Sequence, residues 1–271
     1  MTTRRSPKKL RRLLPSRDSW ERAWQRRWSR VGLPGYELPV GGPGGDEREF
    51  LAAARTPLKE RQRLKRITDE FARAFTRLSD VGPAVTVFGS ARFKGSHPYY
   101  RLARAIGAEL ARAGFATLTG GGPGIMEAAN RGAREAGGAS YGLNILLPHE
   151  QSANPYVNDS VDFHYFFTRK VCLVKYSCAF IVMPGGLGTL DELFEAATLI
   201  QCQKIGPFPL ILVGRTFWAG MRRWGQFMMQ QGVFTPDEIG FGYVTDSPRE
   251  AVDLILRSLP PAVAARLTPL S

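Results

Sequence analysis

The sequence predicts an α/β fold, a Rossmann-like doubly wound parallel sheet preceded by a basic, partly helical extension. Two observations predict it. From residue 84 onward, short apolar runs alternate with segments of helical periodicity, which is the pattern of parallel strands joined by helices. Glycine-rich segments follow three of the apolar runs, at the positions where such sheets hold ligands. We therefore divide the chain into an extension, 1–80, and a Rossmann-like domain, 81–271.

Each element of the domain follows from a local signal. Short apolar runs predict strands at 84–88, 115–118, 141–147, 179–182, 209–213 and 243–244, and residues 163–167 form a further short apolar stretch. Apolar residues at helical spacing predict helices at 98–113, 123–135, 169–176, 190–201, 217–230 and 248–259. Gly114 is placed to end the first of these helices, and Pro123 stands at the favoured first position of the second.

The extension carries most of the positive charge. The 271-residue chain has a formal net charge of +13, and residues 1–80 hold 20 Lys and Arg against 10 Asp and Glu. Glycines and prolines at 34–45 predict a linker, and 47–79 is predicted to be mainly helical with a break at Pro57. A basic segment of this kind suits nucleic acid or another acidic surface, or it is a solubilising, partly disordered tail.

A stripe of tryptophans is the second feature of the extension. Trp20, Trp24 and Trp28 recur every four residues, which places them on one side of a predicted helix. A large exposed apolar stripe is unfavourable in water. We expect this segment to dock on the body of the protein or on a partner subunit.

Composition excludes several classes of protein. No run approaches the roughly 18 apolar residues of a membrane helix, and the basic N-terminus lacks the apolar segment of a secretory signal. The three cysteines form no CxxC pair, so we expect reduced thiols in the cytoplasm, with Cys172 and Cys178 in or near the core. The three histidines show no ligand spacing, and we expect neither a metal nor a cofactor.

Three glycine-rich loops are the strongest functional signal. They lie at 89–92, 119–124 and 184–189, and in a parallel sheet they share one edge. One such loop alone is an ordinary turn, but three together favour a phosphate-bearing ligand, because glycine lets backbone N–H groups approach it closely. No Gly-Lys-Ser/Thr follows, which excludes a P-loop, and no GxGxxG precedes an acidic ribose reader. A mononucleotide is therefore favoured over a dinucleotide.

The pair Arg169-Lys170 gives an independent argument for an anion. Both cations are predicted in the first turn of a helix, where the helix dipole disfavours positive charge by about 0.3–1 kcal/mol each. A bound phosphate would reverse that sign, and arginine suits phosphate geometrically. The alternative is a surface ion pair with Asp159 or Asp162.

Two carboxylates lie beside the predicted anion site, where their negative charge would repel the anion, so their presence requires an explanation. Thr189 to Glu192 fits a T-x-x-E capping box, in which Glu192 bonds back to the Thr189 amide. Glu127 lies in the first turns of the preceding predicted helix, where an acid suits the dipole. The alternative for Glu192 is chemistry on the ligand, and a capping position is compatible with that role.

The order and spacing of these motifs resemble the Lonely Guy (LOG) family over residues 82–258. The matching segments are 120–128, the Arg169-Lys170 pair and 184–192. Members of this family are nucleoside 5′-monophosphate phosphoribohydrolases, often mislabelled lysine decarboxylases. Phe166 stands where the family often has the methionine of Met-x-x-Arg-Lys.

The resemblance implies a reaction and a set of site residues. Arg169 and Glu192 would be the catalytic pair. The residues implied to contact the substrate are Ser90, Gly121, Gly122, Gly124, Met126, Glu127, Lys170, Gly185, Gly186, Gly188 and Thr189. The reaction would be hydrolysis of the N-glycosidic bond of AMP or an N6-modified relative, a cytokinin precursor, to free base and ribose 5-phosphate. The family also implies at least a dimer, with sites near the subunit interface.

Other classes of function stay open at the level of sequence. A nucleotide-binding sensor or carrier would use the same loops but would not require Arg169 and Glu192. A nucleic-acid-binding protein would use the basic extension. Lysine decarboxylation fits poorly, because it usually needs a lysine that holds pyridoxal phosphate, and Lys170 is better interpreted as a phosphate contact.

Overall fold

The computed structural model describes residues 56–270 apart from four short gaps, and it also describes three residues before position 56. The described residues are Ser19, Arg22, Arg26, 56–146, 153–206, 208–235, Glu238 and 243–270. The chain divides into two units, Met1–Gly42 and Pro43–Ser271, and the fold below is that of the second. The tryptophan stripe, the linker at 34–45 and the segment 47–55 lie outside the described residues. The boundary at residue 80 stays a prediction.

Seven parallel strands form a single sheet, which confirms the predicted α/β fold. They are β1 (Ala84–Phe88), β2 (Ala116–Thr119), β3 (Ser140–Ile145), β4 (Asp159–Phe163), β5 (Ala179–Val182), β6 (Leu210–Val213) and β7 (Tyr243–Thr245). Their order in the sheet is β4-β3-β2-β1-β5-β6-β7, and every pair is parallel. The sequence did not predict β4, which ends at Phe163, where the apolar stretch 163–167 begins. β4 is an edge strand that buries only Val161 and Phe163. Because its other residues are polar, it lacks the continuous apolar run that indicates a buried strand.

The helices connect these strands. They are α1 (Pro57–Arg77), α2 (Pro98–Arg112), α3 (Ile125–Glu135), α4 (Phe166–Lys175), α5 (Leu187–Gln201), α6 (Arg215–Gln230), α7 (Pro248–Ser258) and the short α8 (Pro261–Ala264). Three of them begin two or three residues earlier than predicted, and these are α4, α5 and α6. Pro123 does not open α3, because Gly124 is the N-cap and its φ of 72° is incompatible with a helical turn through that position.

Two apolar layers cover the two faces of the sheet. In β1, the side chains of Ala84 and Phe88 belong to one layer, and those of Val85 and Val87 belong to the other. The first layer contains buried residues of α1, α4, α5 and α6, and the second contains those of α2, α3 and α7. Alternate side chains of one strand therefore serve opposite cores, as a doubly wound sheet requires.

Burial agrees with the expectation for the cysteines. Cys172 is buried, Cys178 is half-buried, and Cys202 is exposed. All three are free thiols. In the part of the chain that the structure describes, no helix combines the length and the apolar character needed to cross a bilayer.

The strand order creates a switch point at the centre of the sheet. From β1 the chain winds outward through β2, β3 and β4, then returns across the sheet to β5 on the other side of β1. The loops after β1 and β5 consequently face each other, and the amide of Ser90 donates to the carbonyl of Pro184 at 3.0 Å. Crevices at such switch points are where open α/β sheets bind ligands.

Candidate active site at the switch point

A cavity of about 690 Å³ opens at this switch point. Its walls come from the loop after β1, from α3 and α4, from the loop after β5 with the start of α5, and from α6. The lining residues are Phe88, Gly89, Ser90, Ala91, Arg92, Phe93, Met126, Phe166, Arg169, Gly185, Gly186, Leu187, Gly188, Thr189, Asp191, Glu192 and Phe217. Eight of the residues expected from the sequence therefore share one cavity: Ser90, Met126, Arg169, Gly185, Gly186, Gly188, Thr189 and Glu192.

The glycine loop after β2 is held from behind by a buried asparagine. The side-chain amide of Asn154 donates to the carbonyls of Gly121 and Gly122, at 3.0 and 3.2 Å, and to Oδ1 of Asn130 at 2.9 Å. Gly121 has a φ of 72°, and a Cβ there would clash with the side chain of Asn144. Only glycine fits this position, since both its backbone conformation and the space beside it exclude a side chain. Gly121 and Gly122 support the cavity but do not line it.

The first and second glycine loops also contact each other. The amide of Ile125 donates to the carbonyl of Ser90 at 3.0 Å, and a Cβ on Gly124 would clash with the same carbonyl. The Oγ of Ser90 accepts from the amide of Arg92 at 3.1 Å. Gly124 therefore lies behind the cavity wall, while Ser90 and Met126 form part of it.

The loop after β5 brings a helix N-terminus to the cavity. α5 begins at Leu187, its N-cap is Gly186, and no side chain caps it. The first amides of a helix have no carbonyl partner within it, so those of Leu187, Gly188 and Thr189 are available to an anion in the cavity that these residues line. A Cβ on Gly185 would clash with the side chain of Thr189.

The capping-box interpretation of Glu192 is wrong. Because α5 begins at Leu187, Thr189 lies inside the first turn and cannot be the N-cap. Glu192 lies one turn further along and faces the cavity, with only 7% of its surface exposed. A carboxylate at this position does not cap the start of the helix. Its contact with the cavity is therefore the reason for its presence.

Arg169 reaches from α4 to the glycine loop. A Cβ on Gly120 would lie 2.5 Å from its Nη2, so the guanidinium lies directly against that glycine. Among the residues that the structure describes, its buried Nε has no hydrogen-bond partner. Burial lowers the pKa of Arg169, and the charge of Glu192 opposes this effect. A buried, unpaired donor of this kind is costly unless an acceptor reaches it.

Burial dominates the electrostatics of Glu192. It raises the pKa of this carboxyl to about 7, although Arg169 and Lys170 act in the opposite direction. Glu195 and Asp191, which are also acidic, raise it further. The site therefore holds a carboxyl that is near half-ionised at neutral pH, beside a buried cation and an open cavity.

Lys170 turns away from the cavity and joins α4 to α5. Its Nζ lies 3.0 Å from Oδ2 of Asp191 and 2.7 Å from Oε2 of Glu195. Burial alone would lower the pKa of Lys170, but these two carboxylates outweigh it and raise the pKa above its usual value. The alternative pairing with Asp159 is wrong, because that carboxylate pairs with Arg77.

Glu127 lies in the first turn of α3 as expected, but it does not line the cavity. Its Oε1 accepts from the hydroxyl of Tyr100 on α2 at 2.6 Å. Burial and this carboxylate raise the pKa of Tyr100 to about 12. The bond links α2 to the helix that follows the glycine loop.

The apolar part of the cavity was not predicted from the sequence. It includes five large apolar side chains, those of Phe88, Phe93, Phe166, Leu187 and Phe217. In the sequence, Phe166 is notable only because it departs from the family motif, and Phe217 is only the first residue of a predicted helix. Aromatic residues next to glycine loops are common in cores, so the sequence alone offered no reason to place them in a site. Within the described ranges, no cluster of His, Cys, Asp or Glu could hold a metal ion.

These features define a class of protein: an α/β domain with a ligand cavity at its switch point, glycine loops suited to an anion, a partly buried arginine and a buried glutamate. A family model described as "Possible lysine decarboxylase" matches residues 126–255. The chain is 31% identical over 159 residues to a cytokinin riboside 5′-monophosphate phosphoribohydrolase of Mycobacterium tuberculosis, covering 56% of this chain and 82% of that protein. This chain belongs to the Lonely Guy (LOG) family.

Two other relatives overlap with the chain less completely. It is 36% identical over 106 residues to the enzyme of the same name from Mycobacterium marinum, covering 38% of this chain and 57% of that one. The LOG protein of Oryza sativa is 32% identical over 106 residues, which is 43% of its length. A solved structure of a molybdenum cofactor binding protein from Rippkaea orientalis is 25% identical, with a TM-score of 0.47, and covers 65% of this chain and 96% of that one.

Proposed function

We propose that this protein hydrolyses the N-glycosidic bond of purine nucleoside 5′-monophosphates, AMP or N6-modified AMP, and releases the free base and ribose 5-phosphate. The observation that carries the proposal is that Arg169, whose Nε is buried, and Glu192, which is 7% exposed, both lie in the wall of the switch-point cavity. Relatives named cytokinin riboside 5′-monophosphate phosphoribohydrolase support it. An ionised carboxylate beside an anion site is unfavourable for binding alone, so it indicates chemistry on the ligand.

The chemistry requires a carboxylate at this position. As the bond between C1′ and the base nitrogen breaks, positive charge develops on the ribose ring, as in glycoside hydrolysis. Glu192 would stabilise that charge and orient the attacking water, whose oxygen bonds to C1′. One proton of the water passes to the departing base, so atoms and charge balance. The raised pKa of Glu192 fits this role, because an approaching positive charge favours the ionised form.

Arg169 would bind an oxygen of the nucleotide. Its buried Nε lacks a partner among the described residues, so the substrate would supply the missing acceptor. The first amides of α5 and the loop of Ser90 would bind the 5′-phosphate. The aromatic side chains of Phe93, Phe166 and Phe217 would form the apolar surface that the base requires.

The proposal is tested by the release of base from a panel of nucleotides. The purified full chain is incubated with AMP, N6-modified AMP, GMP and IMP, and the products are separated by chromatography. We expect free base and ribose 5-phosphate from at least one adenine nucleotide. Arg169→Ala and Glu192→Ala should each reduce kcat by at least about 100-fold, while the Glu192 variant still binds AMP.

A nucleotide-binding sensor or carrier is the alternative outcome of the same assay. If wild type binds AMP but releases no base from any member of the panel, the enzymatic proposal is wrong and the binding function stands. Nucleic-acid binding through the basic extension is tested separately, by comparing the salt dependence of DNA affinity with and without residues 1–80.

We also propose that the protein acts in the cytoplasm as at least a dimer. Large apolar side chains at the cavity are exposed in the single chain: Leu187 is 87% exposed, and Phe166 and Phe217 are both 43% exposed. A second subunit covering them would remove apolar surface from water. Light scattering on the purified full chain measures the mass in solution, and a monomer at micromolar concentration would contradict the dimer.

A further inference from the structure

A buried carboxylate on α1 contacts the start of the helix that carries Arg169. Glu70 is 1% exposed and lies outside residues 126–255, the part that the family model matches. Its Oε1 accepts from the backbone amide of His164 at 2.8 Å and lies 2.8 Å from Nδ1 of the same residue. Its Oε2 lies 2.6 Å from the hydroxyl of Thr168, which is fully buried. One side chain thus binds donors on both sides of the first residue of α4.

α4 has no side-chain cap of its own. Its N-cap is Tyr165, which makes no capping hydrogen bond through its side chain, and its first turn contains no acidic residue. A negative charge near a helix N-terminus is favourable, because it lies at the positive end of the helix dipole. Glu70 supplies that charge from another helix, and it also pairs the buried amide and hydroxyl that precede Arg169.

The position of Arg169 depends on this first turn. Thr168 is its immediate neighbour, and the amide of Arg169 donates to the carbonyl of Tyr165 at 3.3 Å. The hydroxyl of Thr168 lies 2.8 Å from that same carbonyl. A shift of this turn would move the guanidinium away from Gly120 and from the cavity.

We propose that Glu70 is a positioning residue for catalysis: from α1, it holds the first turn of α4 so that Arg169 points into the cavity. The inference rests on the proposed glycosidic hydrolysis. It makes α1 part of the catalytic unit, although the sequence placed this helix in an extension outside the family resemblance.

Two other polar contacts of α1 distinguish positioning of Arg169 from simple docking of the helix. Arg77 pairs with Asp159, and Arg73 donates to the carbonyl of Asp162 at 3.3 Å. Both contacts reach β4 and neither reaches α4. Arg77→Ala therefore loosens the attachment of α1 without removing a contact to the turn that carries Arg169.

The experiment compares Glu70→Leu, Glu70→Gln and the control Arg77→Ala in the full chain, with AMP as substrate. Leucine removes the acceptor of the His164 amide and leaves the Thr168 hydroxyl with the Tyr165 carbonyl alone, and we expect kcat to fall about 10- to 100-fold with KM within about threefold. Glutamine keeps an acceptor for His164, and its amide can donate to Thr168, so its kcat should stay within about threefold of wild type. Arg77→Ala should also stay within about threefold.

A second measurement does not depend on turnover. Hydrogen exchange of the peptide 164–170 should quicken in Glu70→Leu and stay near wild type in Glu70→Gln and Arg77→Ala. If Glu70→Leu fails to fold, Thr168→Val removes the hydrogen bond between Thr168 and Glu70 from the opposite side and keeps the contact with His164, so kcat should fall by a smaller factor with KM again within about threefold.

The two proposals fail in different ways. Release of no base by wild type would reject the proposed reaction, and unchanged exchange in Glu70→Leu would reject the coupling of α1 to α4. A folded Glu70→Leu with wild-type kcat would overturn the positioning role. So would an equal loss in Arg77→Ala, since that result would indicate docking of α1 alone.

Discussion

At the scale of single residues, the contact of Gly120 with Arg169 shows how a missing side chain shapes the site. The guanidinium and the thioether of Met126 occupy the space that a Cβ on residue 120 would need. Both are ends of flexible side chains, so an added methyl would displace them rather than unfold the protein. The glycine therefore sets the position of the Arg169 guanidinium and not the stability of the loop.

We expect Gly120→Ala to lower kcat by about 10- to 100-fold, because the added Cβ would lie 2.5 Å from Nη2 of Arg169 and push the guanidinium away. Steady-state kinetics with AMP and thermal unfolding are the measurements. Gly82→Ala is the matched control, since a Cβ there meets nothing within 4 Å. Wild-type kcat in a correctly folded Gly120→Ala would show that Arg169 tolerates another position.

The buried carboxyl of Glu192 predicts a pH-dependent stability. Its pKa is about 7 in the folded protein and near 4.5 when unfolded, so the folded state binds the proton more tightly. Its stabilising contribution is present below about pH 4.5 and is lost as the pH rises through 7. Glu192→Gln removes this loss and should be more stable than wild type by up to about 3 kcal/mol at pH 8.

Urea unfolding of both proteins at pH 8 and at the lowest pH where both stay folded measures this difference. The gain should shrink as the pH falls, and kcat should be lost at every pH. Asp253→Asn, which removes a half-exposed carboxylate on α7, should change stability by no more than about 0.5 kcal/mol at either pH. A Glu192→Gln protein that is less stable than wild type at pH 8 would contradict the burial argument.

At the scale of elements, two helices bring Arg169 and Glu192 to one cavity, and one lysine joins these helices. Arg169 belongs to α4 and Glu192 to α5, and Lys170 bridges the helices through Asp191 and Glu195. The sequence predicted Lys170 as a phosphate contact. The geometry favours a different role, in which this cation fixes the spacing of the helices and lowers the pKa of Glu192.

Lys170→Met tests this role. Loss of the cation should raise the pKa of Glu192, so the rising limb of kcat/KM, expected near pH 7 in wild type, should shift to higher pH. The affinity for AMP should change less than about threefold at pH 8. Lys175→Met, on the last turn of the same helix, is the control. A large loss of AMP affinity at all pH values would instead support the phosphate contact.

The elements also show which parts of the fold and of the site could be predicted from the sequence and which could not. Apolar runs located β1 and β5 to the residue, because these strands are buried on both faces. The starts of α4 and α5 were missed because neither has a side-chain cap to mark it. The glycine loops, Arg169 and Glu192 were predicted from local sequence motifs. The contact between Glu70 and Thr168 joins distant segments of the chain, so no local sequence pattern indicates it.

At the scale of the whole molecule, the strand order explains why three loops far apart in sequence form one cavity. The reversal between β1 and β5 opens a crevice at the carboxyl ends of the strands, and α3, α4 and α5 all begin there. The layer that includes α4 and α5 also contains Ala74 and Leu78, which come from α1 and its end. The first of the two cores is therefore incomplete without residues that precede position 80.

Two truncations test this account of the folding unit. A chain of residues 43–271 should fold and keep its activity, because it retains α1. A chain of residues 81–271 should unfold at a lower temperature or fail to fold, since it loses the buried side chains of Glu70, Ala74 and Leu78. Circular dichroism and turnover of AMP measure both. Equal stability and activity of the two chains would support the domain boundary at residue 80.

The contact between Glu70 and Thr168 also bears on how this sequence can change over evolutionary time. The two positions share one buried hydrogen bond, and Glu70 also accepts from the amide of His164, so an apolar residue at position 70 removes an acceptor from two donors. Descendants should therefore keep glutamate or glutamine at position 70 wherever they keep Thr168. A hybrid gene that joined the first 80 codons of one lineage to the remainder of another would inherit a mismatched pair, and its defect should be cured by restoring the partner alone.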